Sequence, residues 1–163
     1  MLGNDTIPFL VLIVRRSHVI EDALSQIAAN TNDLKKPLRV KFAGEEGVDA
    51  GGVQKEFFHL CIEHIVDLNY GKGDLKHQDN DFLIWYCQGM FTQLQDRSYW
   101  LNSKSLEHRT QFKLIGTLLG LAIYNGVLIN AQFSTILYKK LLGTPLTFED
   151  YEEAFPDVAK YIF

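Results

Sequence analysis

"LRVKFAGEEGVDAGGVQKEFFHLCIEHIV", residues 38–66, switches its hydrophobic period within 29 residues, and that switch decides the class of fold. In "LRVKF" the apolar Leu38, Val40 and Phe42 alternate with Arg39 and Lys41, the period of a strand with one buried face. From Val53 to Val66 the period becomes helical. Phe57, Leu60, Cys61 and Ile65 form one face, and Phe58 and Ile62 widen it into a stripe that implies burial on more than one side. The loop between is glycine-rich. Glycines at 44, 47, 51 and 52 permit positive φ, Asp49 is placed to cap the helix, and Glu45, Glu46 and Asp49 lie near its positive end. This is a strand-to-helix turn rather than a phosphate cradle, because three carboxylates would repel an anion.

Upstream, residues 8–15 read as a strand or an extended entry segment, and Ser17 is expected to cap a helix with Ile20, Ala23, Leu24, Ile27 and Ala28 inward, ended by Asn30. Downstream, "MFTQL" and "SYWL", joined by "QDR", predict a β-hairpin. Ser105 then precedes a helix that is apolar nearly all round from Phe112 to Tyr124 and is closed by Asn125 and Gly126. A helix without a polar face is expected to be central, with Gly116 and Gly120 admitting a close neighbour. "STILYKKLLG" predicts a helix stopping at Gly143 and Pro145, and Thr147 with Asp150 forms a variant capping box for the next. There is no internal repeat. The fold class is α+β, mainly helical, with short strands and a β-hairpin. "PDVAKYIF" ends on Tyr161, Ile162 and Phe163 with no cap, so the chain is expected to be a fragment, incomplete at its C-terminus.

The 163 residues suit one domain, and 47% hydrophobic residues are enough for a core. A net charge of -4, mixed along the chain, points away from nucleic acid. Arg15 and Arg16 follow the apolar "IPFLVLIV" instead of preceding it, so it is not a signal peptide. Residues 114–124, the longest apolar run elsewhere, fall short of the roughly 20 residues of a membrane span. Two cysteines make no disulfide framework. These features lead us to expect a chain of the cytoplasm or nucleus, with no membrane partner.

Chemistry-bearing motifs are sparse. "HLCIEH" approaches an inverted zinc-protease pattern, but one residue too many separates His59 from Glu63, and His59 and His64 fall on different helix faces, so no metal site is expected. Cys61 lies among apolar neighbours and Cys87 in an aromatic run, so neither reads as an activated thiolate. No nucleophile elbow, P-loop or dinucleotide fingerprint occurs, and no cofactor is expected.

The chain resembles the HECT-type ubiquitin ligases. The resemblance runs in family order through "VRRSHVIEDAL", "LKKPLRVKFAGEEGVDAGGVQKEFF", "GMFT", "FKLIGTLLGLAIYNGVLIN" and "YKKLLG", and its wording is most similar to the branch of E6-associated and HERC-like ligases. It implies that residues 7–163 form the first part of the N-terminal lobe of a HECT domain, with the C-terminal lobe absent. Ubiquitin and a ubiquitin-conjugating enzyme are then the implied partners of the full-length parent, with the substrate protein unknown. Family members carry ubiquitin as a thioester on a cysteine of the C-terminal lobe before passing it to a lysine, a covalent relay. Neither Cys61 nor Cys87 corresponds to that cysteine, so no catalytic residue is carried over. Glu46, Asp49, Gly51, Gly52 and Glu56 match the family's loop-and-helix motif, as scaffold. Phe91, Gln93 and Tyr99 lie in the hairpin that helps some members hold ubiquitin, although Gln93 stands where those members have tyrosine. Two alternatives stay open: a non-catalytic module binding ubiquitin or another protein, and a truncated product without independent function.

In the related ligases the text reads straight through "YGMF", which makes residues 72–89, 18 residues, an insertion. The insert is expected to be a translated intron. Gly71-Lys72 can be encoded across a splice-donor sequence, and "FLIWYC" suits the thymine-rich tract before an acceptor.

Overall fold

The computed structural model describes residues 8–46, 51–66 and 89–161. The expected insertion thus lies outside the described residues except for Gly89, as does Asp49. The fold is α+β and mainly helical, in two compact units: Met1–Ile65 with His108–Asn130, and Val66–Glu107 with Ala131–Phe163.

The first unit is built on a parallel pair. Strand β1 (Leu10–Val14) joins β2 (Leu38–Phe42) in the register Leu10 to Leu38 through Val14 to Phe42, and helix α1 (Val19–Ala29) makes the crossover that a parallel pair requires. Both strands bury alternate residues: Leu10, Leu12 and Val14, and Leu38, Val40 and Phe42. Helix α1 adds Val19, Ile20, Ala23, Leu24 and Ile27 to this core. Ala28, expected inward, is exposed, because Ile27 already ends the buried stripe. Ser17 does not cap α1 either. Arg16–His18 form a 3-10 turn that delays the helix to Val19, and the Ser17 hydroxyl instead bonds His18 Nδ1 at 2.8 Å.

Helix α2 (Gly52–Val66) buries Phe57, Phe58, Cys61, Ile62 and Ile65, with the two phenyl rings 5.0 Å apart edge to face. Helix α3 (Arg109–Tyr124) starts three residues before the expected Phe112. Its cap is His108, whose Nδ1 accepts from the Thr110 N–H at 3.2 Å, while the Ser105 hydroxyl accepts from Glu107 N–H. Helix α3, expected to be central and covered on most sides, keeps one exposed stripe. It buries Ile115, Leu118, Leu121 and Ala122, but Ile123 and Tyr124 are exposed, and among the described residues nothing would touch a Cβ at Gly116 or Gly120. Its end matches expectation. Gly126 takes φ +68°, and the Val127 N–H reaches back to the Ala122 carbonyl, closing the helix in a Schellman turn. That end docks on β2, where the Asn125 side chain accepts from Leu38 N–H at 2.9 Å and the Tyr124 hydroxyl donates to the Lys35 carbonyl.

The described elements of the second unit are shorter. Strands β3 (Phe91–Gln93) and β4 (Tyr99–Leu101) form the hairpin, paired Phe91 to Leu101 and Gln93 to Tyr99. Residues near Phe133 add a third short rung to β4, with Tyr99 N–H donating to the Gln132 carbonyl and Ser134 N–H to the Tyr99 carbonyl. Helix α4 (Thr135–Leu141) ends at Gly143, whose φ is +68°. Helix α5 (Phe148–Ala154) opens with the full capping box of Thr147 and Asp150, and α6 (Pro156–Ala159) follows. Among the described residues no helix is long and apolar enough to cross a membrane.

Candidate functional site

Three places could carry chemistry or recognition, and the first is the thiol of Cys61. It sits in mid-α2 with no exposure, and burial pushes its pKa up, so it is a neutral thiol at physiological pH. A nucleophile needs a thiolate and a path to it. Cys61 has neither and packs as a small apolar side chain. Cys87 lies outside the described residues. On the same helix His59, Glu63 and His64 are exposed, and among the described residues no three His, Cys, Asp or Glu side chains gather to hold a metal.

The second place is the turn into α2. Gly51 adopts φ +90°, which explains glycine there, and Gly52 begins the helix. Glu46 is exposed. The organising residue is one that sequence reasoning missed, Arg16. Its guanidinium lies 4.1 Å over the Phe42 ring, and it donates to Glu45 through Nε and Nη2 at 2.5 and 3.1 Å and to Glu56 through Nη1 at 2.7 Å. Those hydrogen bonds hold both carboxyls below the usual range and raise Arg16 further. Glu56 thus gains a partner 40 positions away, and Glu45, expected to complement the helix end, is fixed by Arg16 as well. No periodic signal links residues so far apart. This arrangement ties the β1–α1 junction to the β2–α2 turn.

The third place is the hairpin. By register Phe91, Gln93, Tyr99 and Leu101 share one face, while Thr92 and Trp100 share the other. The three sequence-predicted residues therefore come together but differ in access. Phe91 is buried with its ring 5.5 Å from Phe133, Tyr99 is half-buried, and Gln93 is exposed. The hairpin's base is held by Asn102, which is buried, donates to the Gly89 carbonyl at 2.7 Å and accepts from Lys104 N–H at 2.9 Å.

An open groove of about 450 Å³ runs along the Thr92–Trp100 face, lined also by Leu101, Asn102, Ser103, Lys104, Tyr151 and Phe155. Its floor is an aromatic series. Trp100 meets Phe155 edge to face at 6.2 Å, and Phe155 meets Tyr151 at 5.3 Å. Sequence alone could not have found it, because β4 and α5 lie some fifty positions apart.

The HECT-domain (ubiquitin-transferase) family model matches residues 81–162. The human protein named "Probable E3 ubiquitin-protein ligase HERC4" is 39% identical over 155 residues, 94% of this chain and 13% of its own length. The mouse "Probable E3 ubiquitin-protein ligase HECTD2" is 36% identical over 143 residues, 87% of this chain and 16% of its own. From Schizosaccharomyces pombe, "Probable E3 ubiquitin-protein ligase mug30" is 32% identical over 151 residues, 93% of this chain and 17% of its own. The chain spans less than a fifth of the length of these curated relatives.

Proposed function

This chain belongs to the HECT-domain family, and we propose on that basis that it is scaffold in a ubiquitin-protein ligase: it helps present ubiquitin, and the acceptor thiol lies elsewhere in the parent protein. The parent takes ubiquitin from a conjugating enzyme as a thioester and passes it to a substrate lysine. The observation that carries the scaffold assignment is Cys61. A residue with no exposure and a raised pKa cannot attack the conjugating enzyme's thioester, which must approach within bonding distance of a thiolate. The scaffold reading also gives Glu46, Asp49, Gly51, Gly52 and Glu56 a structural role, with Glu56 and Gly51 fixing the start of α2. The test is to incubate the chain with activating enzyme, charged conjugating enzyme and ATP. No reducible ubiquitin adduct is expected; an adduct mapped to Cys61 or Cys87 would overturn the assignment.

Within that function we assign ubiquitin contact to the hairpin. Gln93 offers an exposed amide, Tyr99 a half-buried ring, and Phe91 anchors the strand that carries Gln93. The aromatic groove on the other face favours a second reading, a module that holds a protein without catalysis. Titration of labelled chain with ubiquitin separates the faces. Shifts at Gln93 and Tyr99 support the first, shifts confined to Trp100 and Tyr151 support the second, and no shift removes hairpin binding of ubiquitin altogether.

A further inference from the structure

The outer edge of β1 is occupied by side chains of α1. Because Leu10, Leu12 and Val14 direct their peptide groups toward β2, those of Val11, Ile13 and Arg15 face away from the sheet. Gln26 takes both groups of Ile13: its Oε1 accepts the Ile13 N–H at 3.0 Å, and its Nε2 donates to the Ile13 carbonyl at 2.6 Å. One turn earlier, Asp22 Oδ2 accepts the Arg15 N–H at 2.9 Å. The spacing explains the fit. Four residues of helix rise about 6 Å and two residues of strand about 6.6 Å, so an i, i+4 pair of side chains matches successive outward peptide groups of a strand. A carboxamide presents one of its N–H groups beside its oxygen, the complement of the N–H and C=O of a single strand residue, and the Gln26 nitrogen also reaches the Asp22 carbonyl at 3.2 Å.

We propose that Gln26 and Asp22 close the outer edge of β1 against a second copy of this chain, making α1 a guard on a strand able to pair edge to edge. The strand is suited to such pairing. Phe9–Val14, "FLVLIV", is six residues without charge, proline or glycine and rich in strand-forming side chains, the composition that self-associates through an open edge. Val11 and Ile13 are 41% and 53% exposed, so the uncovered sheet face would continue unbroken across a paired edge. Along Phe9–Val14 the edge itself carries no charge, so two copies can meet there about a twofold axis without opposing like charges, which makes another copy the fitting partner.

The test compares the chain with Gln26→Ala, Gln26→Glu and the double variant Gln26→Ala/Ile13→Lys, by sedimentation velocity over a range of concentrations and by amide exchange at Ile13. The unsubstituted chain should remain monomeric with a protected Ile13 amide. Gln26→Ala should exchange there roughly tenfold or more faster when dilute and dimerise as concentration rises. Gln26→Glu keeps an acceptor for the N–H but loses the donor to the carbonyl, so it should fall between the two. The lysine places a charge on the edge face and should return the alanine variant to a monomer. Gln26→Ala remaining monomeric throughout, or the double variant associating as strongly as the single one, would overturn the proposal.

Discussion

The two units reach order by different means. The first, around β1, β2 and the longer helices α1, α2 and α3, holds nearly all of the large side chains that are wholly buried among the described residues, such as Leu12, Ile20, Phe57, Phe58, Ile65 and Leu118. Among its described residues the second has three-residue strands and helices of seven residues or fewer, too short to hold themselves, and leans on polar devices. Asn102 closes the hairpin, Thr147 and Asp150 box the start of α5, and Lys139 reaches from α4 to Asp150 at 2.5 Å. Non-directional burial should make the first unit sensitive to lost volume and indifferent to pH near neutrality. Directional bonding should make the second sensitive to single polar atoms.

Phe57→Ala gives the largest effect. Removing a phenyl ring with no exposure leaves a cavity and should cost about 3–5 kcal/mol by denaturant titration. If the loss is nearer that of a surface change, the first unit is not burial-driven. Asn102→Ala comes next, at about 1–3 kcal/mol, because it strands the buried Gly89 carbonyl; amide exchange should report the loss in the hairpin and leave α1 and α2 protected. Thr147→Ala removes half of the capping box and should cost about 1 kcal/mol, seen first as faster exchange in α5.

Acid gives a smaller, graded effect. Lys139, through its hydrogen bond, and the Thr147 N–H hold the Asp150 carboxyl below its ordinary value, so it is depressed in the folded state. A depressed carboxyl contributes stability that is present above the unfolded pKa, about 3.9, and is lost as pH falls below it through the folded value. Unfolding of the second unit should therefore steepen below about pH 4, and Asp150→Asn should flatten that limb while lowering stability at pH 7. The smallest effect belongs to Arg16→Met, which drops both exposed ion pairs together with the guanidinium's contact with the Phe42 ring. A slight fall in Tm that disappears at high salt is expected. A fall that persists at high salt would show that the arginine acts by packing.

Local patterns were the legible part of this molecule. The alternation in "LRVKF", the helical spacing from Phe57 to Ile65, the hairpin, the glycine stops at 126 and 143 and the Thr147 box all follow from near neighbours and form as read, except that Leu60, expected on the buried face of α2, is only half-buried. Ser17 misled because it has cap chemistry, while the start of α1 falls at Val19, where its apolar face meets the core. The full apolar girth of α3 misled in the opposite direction, since hydrophobicity states what a residue tolerates and not what covers it. For the candidate site, sequence gathered Phe91, Gln93 and Tyr99 onto one hairpin and placed Cys61 on the apolar face of its helix. It could not show that Phe91 is the anchor, nor that Arg16 joins Glu45 to Glu56, nor that Trp100 meets Phe155, because each contact spans tens of residues.

The central claim is that the described part of this chain is scaffold, and the reactivity of Cys61 tests it most directly. The folded chain would be treated at neutral pH with a small alkylating reagent, and the label on each cysteine followed by mass spectrometry. We predict that Cys61 stays unlabelled until denaturant unfolds the helix that buries it. Rapid labelling of Cys61 in the folded chain would mean an accessible thiolate in α2 and would contradict the account.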